Sequence, residues 1–319
     1  MTTPNLRENK HELIGHQTLA RLEEKLQDLP MLPMVVSRLI SLDPDSDAYF
    51  DQLLSLAETD PPFAARILNM ANSASSHPSK QIVRLSNAIV RVGSRAIANL
   101  VSTMAVMRVF VPTTSGQRFL WAHAVEVAVC CRIIARNRKV RGLSEEAYLV
   151  GLLHDIGRFV MFDKAPDELA QVESTNWRSP TDVIRAERDF CGFTHAELGW
   201  HICQYWELPD LVGQIVHNHH TYDPKHYGDQ DLDDTTKELI RIVQMGDMLS
   251  TMVFRDPNWI NLDEEALEAR LMEDCMHPDW PNPPMSAREL LDHIEQIREE
   301  SQSLINALGI YPHPPRWSR

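Results

Sequence analysis

Apolar residues recur every three to four positions along almost the whole chain, and no segment shows the apolar–polar alternation of a β-strand. The segments QRFLWAHAVEVAVCCRIIARN and TKELIRIVQMGDMLSTMVF show the helical period most clearly. A chain with this pattern buries its apolar residues by packing helices against one another. The sequence therefore predicts an all-α fold.

Breaks in this pattern divide the chain into four parts. The clearest boundary is the segment PTTSG, because proline, threonine, serine and glycine cluster there between two strongly periodic regions. The predicted parts are a tail with a leading helix (1–29), an N-terminal helical module (30–112), a second helical domain (113–255) and a C-terminal helical extension with its tail (256–319). In the last part, the pattern predicts one short helix and a final helix at about 286–308.

The leading helix carries a single apolar stripe. Its leucines recur at three- and four-residue intervals, at Leu19, Leu22, Leu26 and Leu29. Two turns are short for a coiled coil, so we favour packing of the stripe against the body of the protein. A homodimer that buries the stripe is the alternative.

The net charge restricts the partners of the protein. At −14, the surface as a whole repels polyphosphates, which disfavours sequence-independent binding of nucleic acid. Hydrophobic residues make up 43% of the chain and charged residues 24%, which is the balance of a globular protein. An anionic ligand of such a chain needs a local cation, for example a metal ion.

The cellular compartment is predicted from features that the sequence lacks. The segment MTTPNLRENKHELIGHQ has no apolar core of a signal peptide, and no run of about 18 apolar residues follows. The five cysteines form neither a CxxC pair nor an even disulfide framework. We therefore expect a cytoplasmic protein with reduced, buried thiols and no membrane partner.

The side chains suited to chemistry are histidines and aspartates on separate helical segments. They are His123, the adjacent pair His154 and Asp155, His195, His219, His220 and Asp247. Any single one of these histidines is most simply explained by a local hydrogen bond. As a set, imidazoles and carboxylates suit a divalent transition metal such as Fe, Mn or Zn, or a two-metal cluster, if the fold brings them together. Gly151 and Gly157 flank the His154–Asp155 pair, and we expect these small residues to let neighbouring helices approach closely.

The segment GLLHDIG resembles the defining element of the HD superfamily of metal-dependent phosphohydrolases. The resemblance implies a ligand set of His123, His154, Asp155 and Asp247. The additional His195, His219 and His220 resemble the extra ligands of HD-GYP phosphodiesterases. In an active enzyme, this resemblance would make Asp155 the residue that bridges two metals and Arg158 a residue that holds a phosphate oxygen, so these two are the catalytic candidates.

The N-terminal half narrows the resemblance. The segments LPMLPMVVSRLISL, TDPPFAARILNMANSA and LSNAIVRVGSRAIANLV closely resemble the HDOD family over residues 25–110. Members of that family are output modules of bacterial signalling. The chain differs from HD-GYP enzymes, because TYDPKHYG follows His220 in place of a GYP motif and Arg158 replaces the usual lysine.

Two functions follow as expectations. The first is a regulatory HDOD-type module that acts through contacts with signalling proteins and retains a metal centre. The alternative is a metal-dependent phosphohydrolase that acts on a phosphorylated small molecule, either a phosphodiester or a nucleotide. The module at 30–112 has no chemical motif of its own, which favours the regulatory role; Arg84, Arg91 and Arg95 are its candidates for contact with an anionic partner.

Overall fold

The computed structural model describes residues 49–51, 54, 61–72, 82–138, 143–175, 177, 179–227, 232–280 and 282–310. The predicted leading helix and its four leucines lie outside these residues. Most of the segment between the leading helix and residue 60 does so as well.

From residue 61 onwards, thirteen α-helices occur in the described part of the chain; residues 49–51 and 54 are also helical, and no β-strand occurs among the described residues, which confirms the all-α prediction. They are α1 (Pro61–Ala71), α2 (Leu85–Val92), α3 (Ser94–Val109), α4 (Ser115–Asn137), α5 (Ser144–Leu153), α6 (Ile156–Lys164), α7 (Pro166–Ser174), α8 (Pro180–Cys191), α9 (His195–Tyr205), α10 (Asp210–Asn218), α11 (Asp234–Met248), α12 (Glu264–Cys275) and α13 (Ala287–Leu308). A π-helix, Leu249–Phe254, continues directly from α11.

Helix α4 lies at the centre of the fold. It packs against α5, α11 and α13, and most of its length is buried. Trp121 of α4 is fully buried, its ring centroid lies 4.5 Å from that of Phe159, and its Nε1–H donates to the carbonyl of Phe110 at 2.9 Å. A helix buried on nearly all sides can place a polar side chain in the interior, where that side chain needs a partner.

The predicted boundary at PTTSG coincides with a break between two helices. Helix α3 ends at Val109 and α4 begins at Ser115, after a capping box formed by Thr114 and Gln117. The apolar core nevertheless continues across this break, and the hydroxyls of Thr103 on α3 and Tyr148 on α5 form a buried hydrogen bond of 2.8 Å. The N-terminal module is thus packed on the helices that carry the histidines.

The C-terminal extension follows the sequence pattern closely. The predicted short helix is α12, and the predicted final helix is α13. Ser286 caps α13 through a capping box with Glu289, and Gly309 ends it in the left-handed conformation at φ 69°. Because α13 packs on α4, the extension supports the central helix.

Among the described residues, no single helix is both long and apolar enough to cross a membrane. The pair Leu85–Val92 and Ala96–Val109 meets the length and composition only when taken together, and it bends by 106° at the break. Ile89, Ile97 and Leu100 of this pair are fully buried in the protein core.

Candidate metal centre

The His154–Asp155 pair lies at a break between α5 and α6. His154 follows the last residue of α5, and Asp155 precedes the first residue of α6 with φ −95° and ψ 20°. Asp155 occupies the N-cap position of α6, yet its carboxylate makes no capping hydrogen bond. The carboxylate contacts histidines instead. The apolar period runs through this segment without interruption, so helical spacing alone does not predict the break.

The Asp155 carboxylate lies between two groups of histidines. Its Oδ2 is 3.6 Å from His123 Nε2 and 3.8 Å from His154 Nε2. Its Oδ1 is 3.0 Å from His195 Nε2 and 3.9 Å from His219 Nε2. Each oxygen therefore belongs to a separate cluster of donor atoms, as in a carboxylate that bridges two metal ions.

Asp247 and His220 complete the two groups. Asp247 Oδ1 lies 3.4 Å from His123 Nε2 and accepts a hydrogen bond of 3.1 Å from Thr251. His220 Nε2 lies 3.0 Å from His195 Nε2, and its Nδ1 lies 3.9 Å from Asp247 Oδ2. All seven predicted His and Asp side chains are thus brought together, although they come from distant parts of the chain.

The tautomers of two histidines follow from their outer hydrogen bonds. His154 Nδ1 donates to the carbonyl of Gly151 and His219 Nδ1 to the carbonyl of Val216, both at 2.7 Å, since a carbonyl can only accept. When neutral, both rings therefore present an unprotonated Nε2 to the cluster.

The spacing of the Nε2 atoms matches that of ligands on a shared ion. His123 Nε2 and His154 Nε2 are 3.2 Å apart, as are His195 Nε2 and His219 Nε2. Two ligands bonded to one ion at about 2.1 Å lie about 3.0–3.4 Å apart for right-angled to tetrahedral geometry. When both nitrogens of a pair are unprotonated, their lone pairs repel, so a cation between them would stabilise this arrangement.

Carboxylates outside the cluster orient the rings of His195 and His123, the first directly and the second through Ser250. His195 Nδ1 donates to Glu187 at 2.7 Å, and the same carboxylate accepts the backbone N–H of His195 at 2.8 Å. His123 Nδ1 lies 2.8 Å from Ser250 Oγ, which donates to Glu126 at 2.5 Å. Such outer partners fix the ring orientation and increase the basicity of a metal-binding imidazole.

The charges of the cluster are suited to a cation. Burial lowers the pKa of His123, His219 and His220 well below the usual histidine range, so these rings are neutral at pH 7. Burial would raise the pKa of Asp155, but His154, His195 and Arg158 hold it well below its usual value. Burial also lowers the pKa of His195, yet Glu187 and Asp155 raise it to about 10, so an ion at this position must displace a proton from Nε2.

Two buried atoms of the cluster have no hydrogen-bond partner in the described part of the chain. They are Asp247 Oδ2 and His220 Nδ1. A buried polar atom without a partner costs about 1–3 kcal/mol. A divalent cation bound beside Asp247 would satisfy its oxygen, so the residues present fit a metal.

Glycines allow the helices of the site to approach, as the sequence predicted. A Cβ on Gly157 would overlap the carbonyl oxygen of His195 and lie 2.8 Å from its carbonyl carbon. A Cβ on Gly151 would lie 2.9 Å from the Cα of Ala128 on α4. The contact between α6 and α9, which joins the two halves of the site, therefore requires glycine.

Arg158 lies beside the donor atoms without joining them. It is buried, forms an ion pair with Glu173, and lines a cavity of about 120 Å³ that Asp155 and Asp247 also line. The predicted site residues therefore lie near one another. The candidate metal ligands form one cluster, and Arg158 lines the adjoining cavity.

Sequence reasoning missed several residues of the site. Arg255 and Trp177 line the cavity, and Glu187 and Glu126 support the histidines. Arg255 continues the periodic segment that contains Asp247, which is a signal that could have identified it. Trp177 lies between helices, and no local pattern marks it.

The chain matches one family model and several solved structures. The model of the HDOD domain matches residues 29–222, more than half of the chain. An uncharacterized protein of Treponema pallidum (strain Nichols) is 26% identical over 203 residues, which are 63% of this chain and 39% of that protein, so the match spans well under half of the relative's length.

Two crystal structures show the same fold. An HDOD domain protein of unknown function from Geobacter sulfurreducens superposes with a TM-score of 0.64 at 20% identity, covering 92% of this chain and 98% of that one. A proposed phosphohydrolase from Shewanella amazonensis SB2B superposes with a TM-score of 0.65 at 21% identity, covering 90% and 97%. At these identities the likeness concerns the fold.

Proposed function

The chain belongs to the HDOD family, and we propose that it is a metal-dependent phosphohydrolase that acts on a small phosphorylated molecule through a two-metal centre. The observation that carries this proposal is the position of Asp155, whose two oxygens face separate groups of histidines beside a cavity. A metal that only stabilises the fold needs a closed shell and no adjoining cavity. The geometry thus favours the enzyme over the regulatory role that the sequence favoured.

The donor set restricts the metal. The ligands would be five imidazoles and two carboxylates, namely His123, His154, Asp155, His195, His219, His220 and Asp247. Nitrogen and oxygen donors of this kind suit Fe, Mn or Zn. No cysteine belongs to the donor groups found among the described residues, and burial raises the pKa of the Cys130 thiol on α4 to about 12, which keeps that thiol protonated.

When bound, two divalent ions supply an activated water molecule and neutralise charge on a phosphoryl group. Asp155 remains ionised, and each of its two oxygens faces one of the two histidine groups. Arg158, fixed by Glu173, directs a guanidinium towards the cavity in which the phosphoryl group would lie. The surrounding apolar side chains limit the access of bulk water.

Elemental analysis combined with a phosphatase assay tests this function. We expect the protein purified without chelator to contain up to two metal ions per chain and to hydrolyse a phosphoester, with turnover lost in Asp155→Ala. Asp163→Ala on the same helix is the matched control, since Asp163 is exposed and forms its ion pair with the neighbouring Lys164. Absence of metal, or turnover that survives in Asp155→Ala, would contradict the proposal.

A regulatory role through protein contacts is the second candidate, and one surface favours it. Val83 and Val90 are 74% and 73% exposed at helix α2, next to the exposed Arg84 and Arg91. Apolar side chains beside arginines are typical of protein interfaces. Stoichiometric metal without turnover in the assay above would support this candidate.

A further inference from the structure

The cavity beside the ligand cluster has a second wall that carries positive charge. Arg158 and Arg255 both line this cavity, together with Trp177. They come from separate parts of the chain, since Arg158 lies on α6, Trp177 precedes α8 and Arg255 follows the π-helix. Their convergence next to the proposed metals is a property of the fold.

Aromatic rings hold both guanidinium groups in place. The Trp177 ring centroid lies 5.2 Å from Arg158 Cζ and 4.9 Å from Arg255 Cζ, and Phe119 lies 4.4 Å from Arg255 Cζ. Trp177 Nε1 donates to Glu173 at 3.3 Å, and Glu173 also accepts from Arg158. Cation–π contacts of this kind fix the arginines without consuming their N–H donors.

The charge at this wall favours an anion. Glu173 pairs with Arg158. Burial and the neighbouring Arg158 lower the pKa of Arg255 to about 10, although Asp247, Glu126 and Glu173 oppose this shift, so Arg255 stays cationic at pH 7. The two guanidinium groups repel each other, and a phosphoryl group that contacts both would offset this repulsion. Since the chain has a net charge of −14, such a cationic site is a local feature of the surface.

The size and charge of the cavity restrict this anion. Its volume is about 120 Å³. Pockets for drug-sized ligands occupy about 300–1,000 Å³, so a cavity of this size favours a compact ligand over a cyclic dinucleotide. A phosphomonoester carries about two negative charges and three terminal oxygens, enough to contact both the metals and the two arginines, whereas a phosphodiester offers only two terminal oxygens.

We propose that Arg255, together with Arg158, binds the terminal oxygens of a single phosphoryl group, and that the substrate is a phosphomonoester with a compact alcohol portion. The choice of substrate rests on the proposed phosphohydrolase function. Arg255 is then a substrate-binding residue, and Trp177 positions it.

Titration of the metal-loaded full chain with inorganic phosphate tests the role of Arg255. Loss of a charged hydrogen-bond donor should weaken phosphate binding at least about tenfold in Arg255→Gln, while elemental analysis shows unchanged metal content. Arg188→Gln is the matched control, because Arg188 is exposed and pairs with Glu197 at 2.6 Å. Unchanged phosphate affinity in Arg255→Gln would overturn the proposal.

A conservative variant keeps the test valid if Arg255→Gln does not fold. Arg255→Lys retains the positive charge but not the planar guanidinium group. We expect its phosphate affinity to lie between that of the parent and that of Arg255→Gln. If Arg255→Lys and Trp177→Ala, made as separate variants, both bind phosphate as tightly as the parent, neither the guanidinium group of Arg255 nor its contact with Trp177 matters. That result would contradict the proposal.

Competition measures the size limit and separates this inference from the proposed function. Phosphate and a small phosphomonoester should each bind at least about tenfold more tightly than a cyclic dinucleotide; the reverse order would overturn the size argument. If the parent holds no metal, yet Arg255→Gln still loses phosphate binding, the phosphohydrolase proposal fails and the arginine site stands.

Discussion

Glu187 is fully buried, and its carboxylate accepts hydrogen bonds from both the Nδ1 and the backbone N–H of His195. In Glu187→Gln, one carboxylate oxygen becomes an NH₂ group that cannot accept, so the His195 ring loses orientation and basicity. Outer partners of this kind contribute about 10–100-fold to metal affinity. We expect that loss for Glu187→Gln, measured by competition with a coloured chelator.

Glu197 provides the control for this experiment. It lies two residues after His195 and caps α9 through Thr194. Glu197→Gln should therefore cost some stability of the helix end but leave metal affinity unchanged. Equal metal affinities for Glu187→Gln and the parent would show that Glu187 does not tune the site.

Glu126 makes stability depend on pH. Burial raises its pKa from 4.5 to about 7, although the hydrogen bond from Ser250 partly opposes this shift. A carboxyl group whose pKa is higher in the folded state contributes stability that is complete below about pH 4.5 and is lost as the pH rises through about 7. For a shift from 4.5 to about 7, at about 1.4 kcal/mol per pKa unit, the contribution is at most about 3–4 kcal/mol.

The variant Glu126→Gln isolates this contribution. Glutamine resembles the protonated carboxyl group and does not titrate, so the parent should lose stability relative to the variant between about pH 5 and 7.5. Denaturant unfolding of the metal-free proteins at several pH values measures the difference. Parallel stability curves for the two proteins would contradict the assigned burial of Glu126.

Helices α6 and α9 touch at Gly157, and this contact joins the halves of the proposed metal centre. In Gly157→Ala, the new Cβ would overlap the backbone carbonyl of His195, which cannot move aside as a flexible side chain would. The helices must separate, so we expect a loss of stability of about 2–3 kcal/mol or more together with weaker metal binding. Thermal melting and elemental analysis measure the two effects.

Gly116→Ala shows whether glycine replacement alone has this effect. Its new Cβ would lie 3.1 Å from the Phe162 ring, which can shift, and 4.0 Å from Thr114 Oγ1, which is an ordinary contact. Replacement of glycine in a helix also adds up to about 1 kcal/mol of helix propensity. Near-parental stability is therefore expected for Gly116→Ala, and an equal loss in both variants would exclude the close approach as the cause.

The π-helix Leu249–Phe254 explains how one short segment contributes several side chains to the site. Its wider turn departs from the α-helical period just after Asp247. Ser250 then contacts His123, Thr251 donates to Asp247, and Arg255 reaches the cavity. The sequence correctly predicts a helix here, but apolar spacing does not distinguish a π-turn from an α-turn.

The surface of α2 tests the regulatory candidate. Arg84→Glu with Arg91→Glu reverses two exposed charges beside Val83 and Val90. Exposed substitutions rarely change stability by more than about 0.5 kcal/mol, so folding and metal content should stay constant. If this surface binds a signalling protein, pull-downs with the double variant should recover much less of it; equal recovery would exclude this surface.

Across the whole molecule, the sequence predicts what depends on local pattern. Helical spacing identified α4, α11 and α13. The ligand set followed from a family resemblance, since no local rule relates Asp155 to Asp247. Contacts that depend on tertiary packing, such as Trp177 against Arg255, leave no periodic signal.

Metal ligands from five regions of the chain should make stability depend on the metal. His123 lies on α4, His195 on α9 and Asp247 on α11, so a bound ion links helices that are distant in sequence. At a free metal concentration of about 1,000 times Kd, binding to the folded state adds about 4 kcal/mol. For a chain of this size, that corresponds to an increase in Tm of about 5–10 °C.

Thermal melts of the parent with and without a strong chelator measure this increase, and His154→Ala provides the comparison. Removal of the His154 imidazole opens one ligand group while the shared Asp155 carboxylate remains. The variant should hold less metal and show a smaller Tm difference between the two conditions. A Tm of the parent that does not change with chelator, despite measured loss of metal, would mean that the ion does not link these helices, and the cluster would then serve chemistry without stabilising the fold.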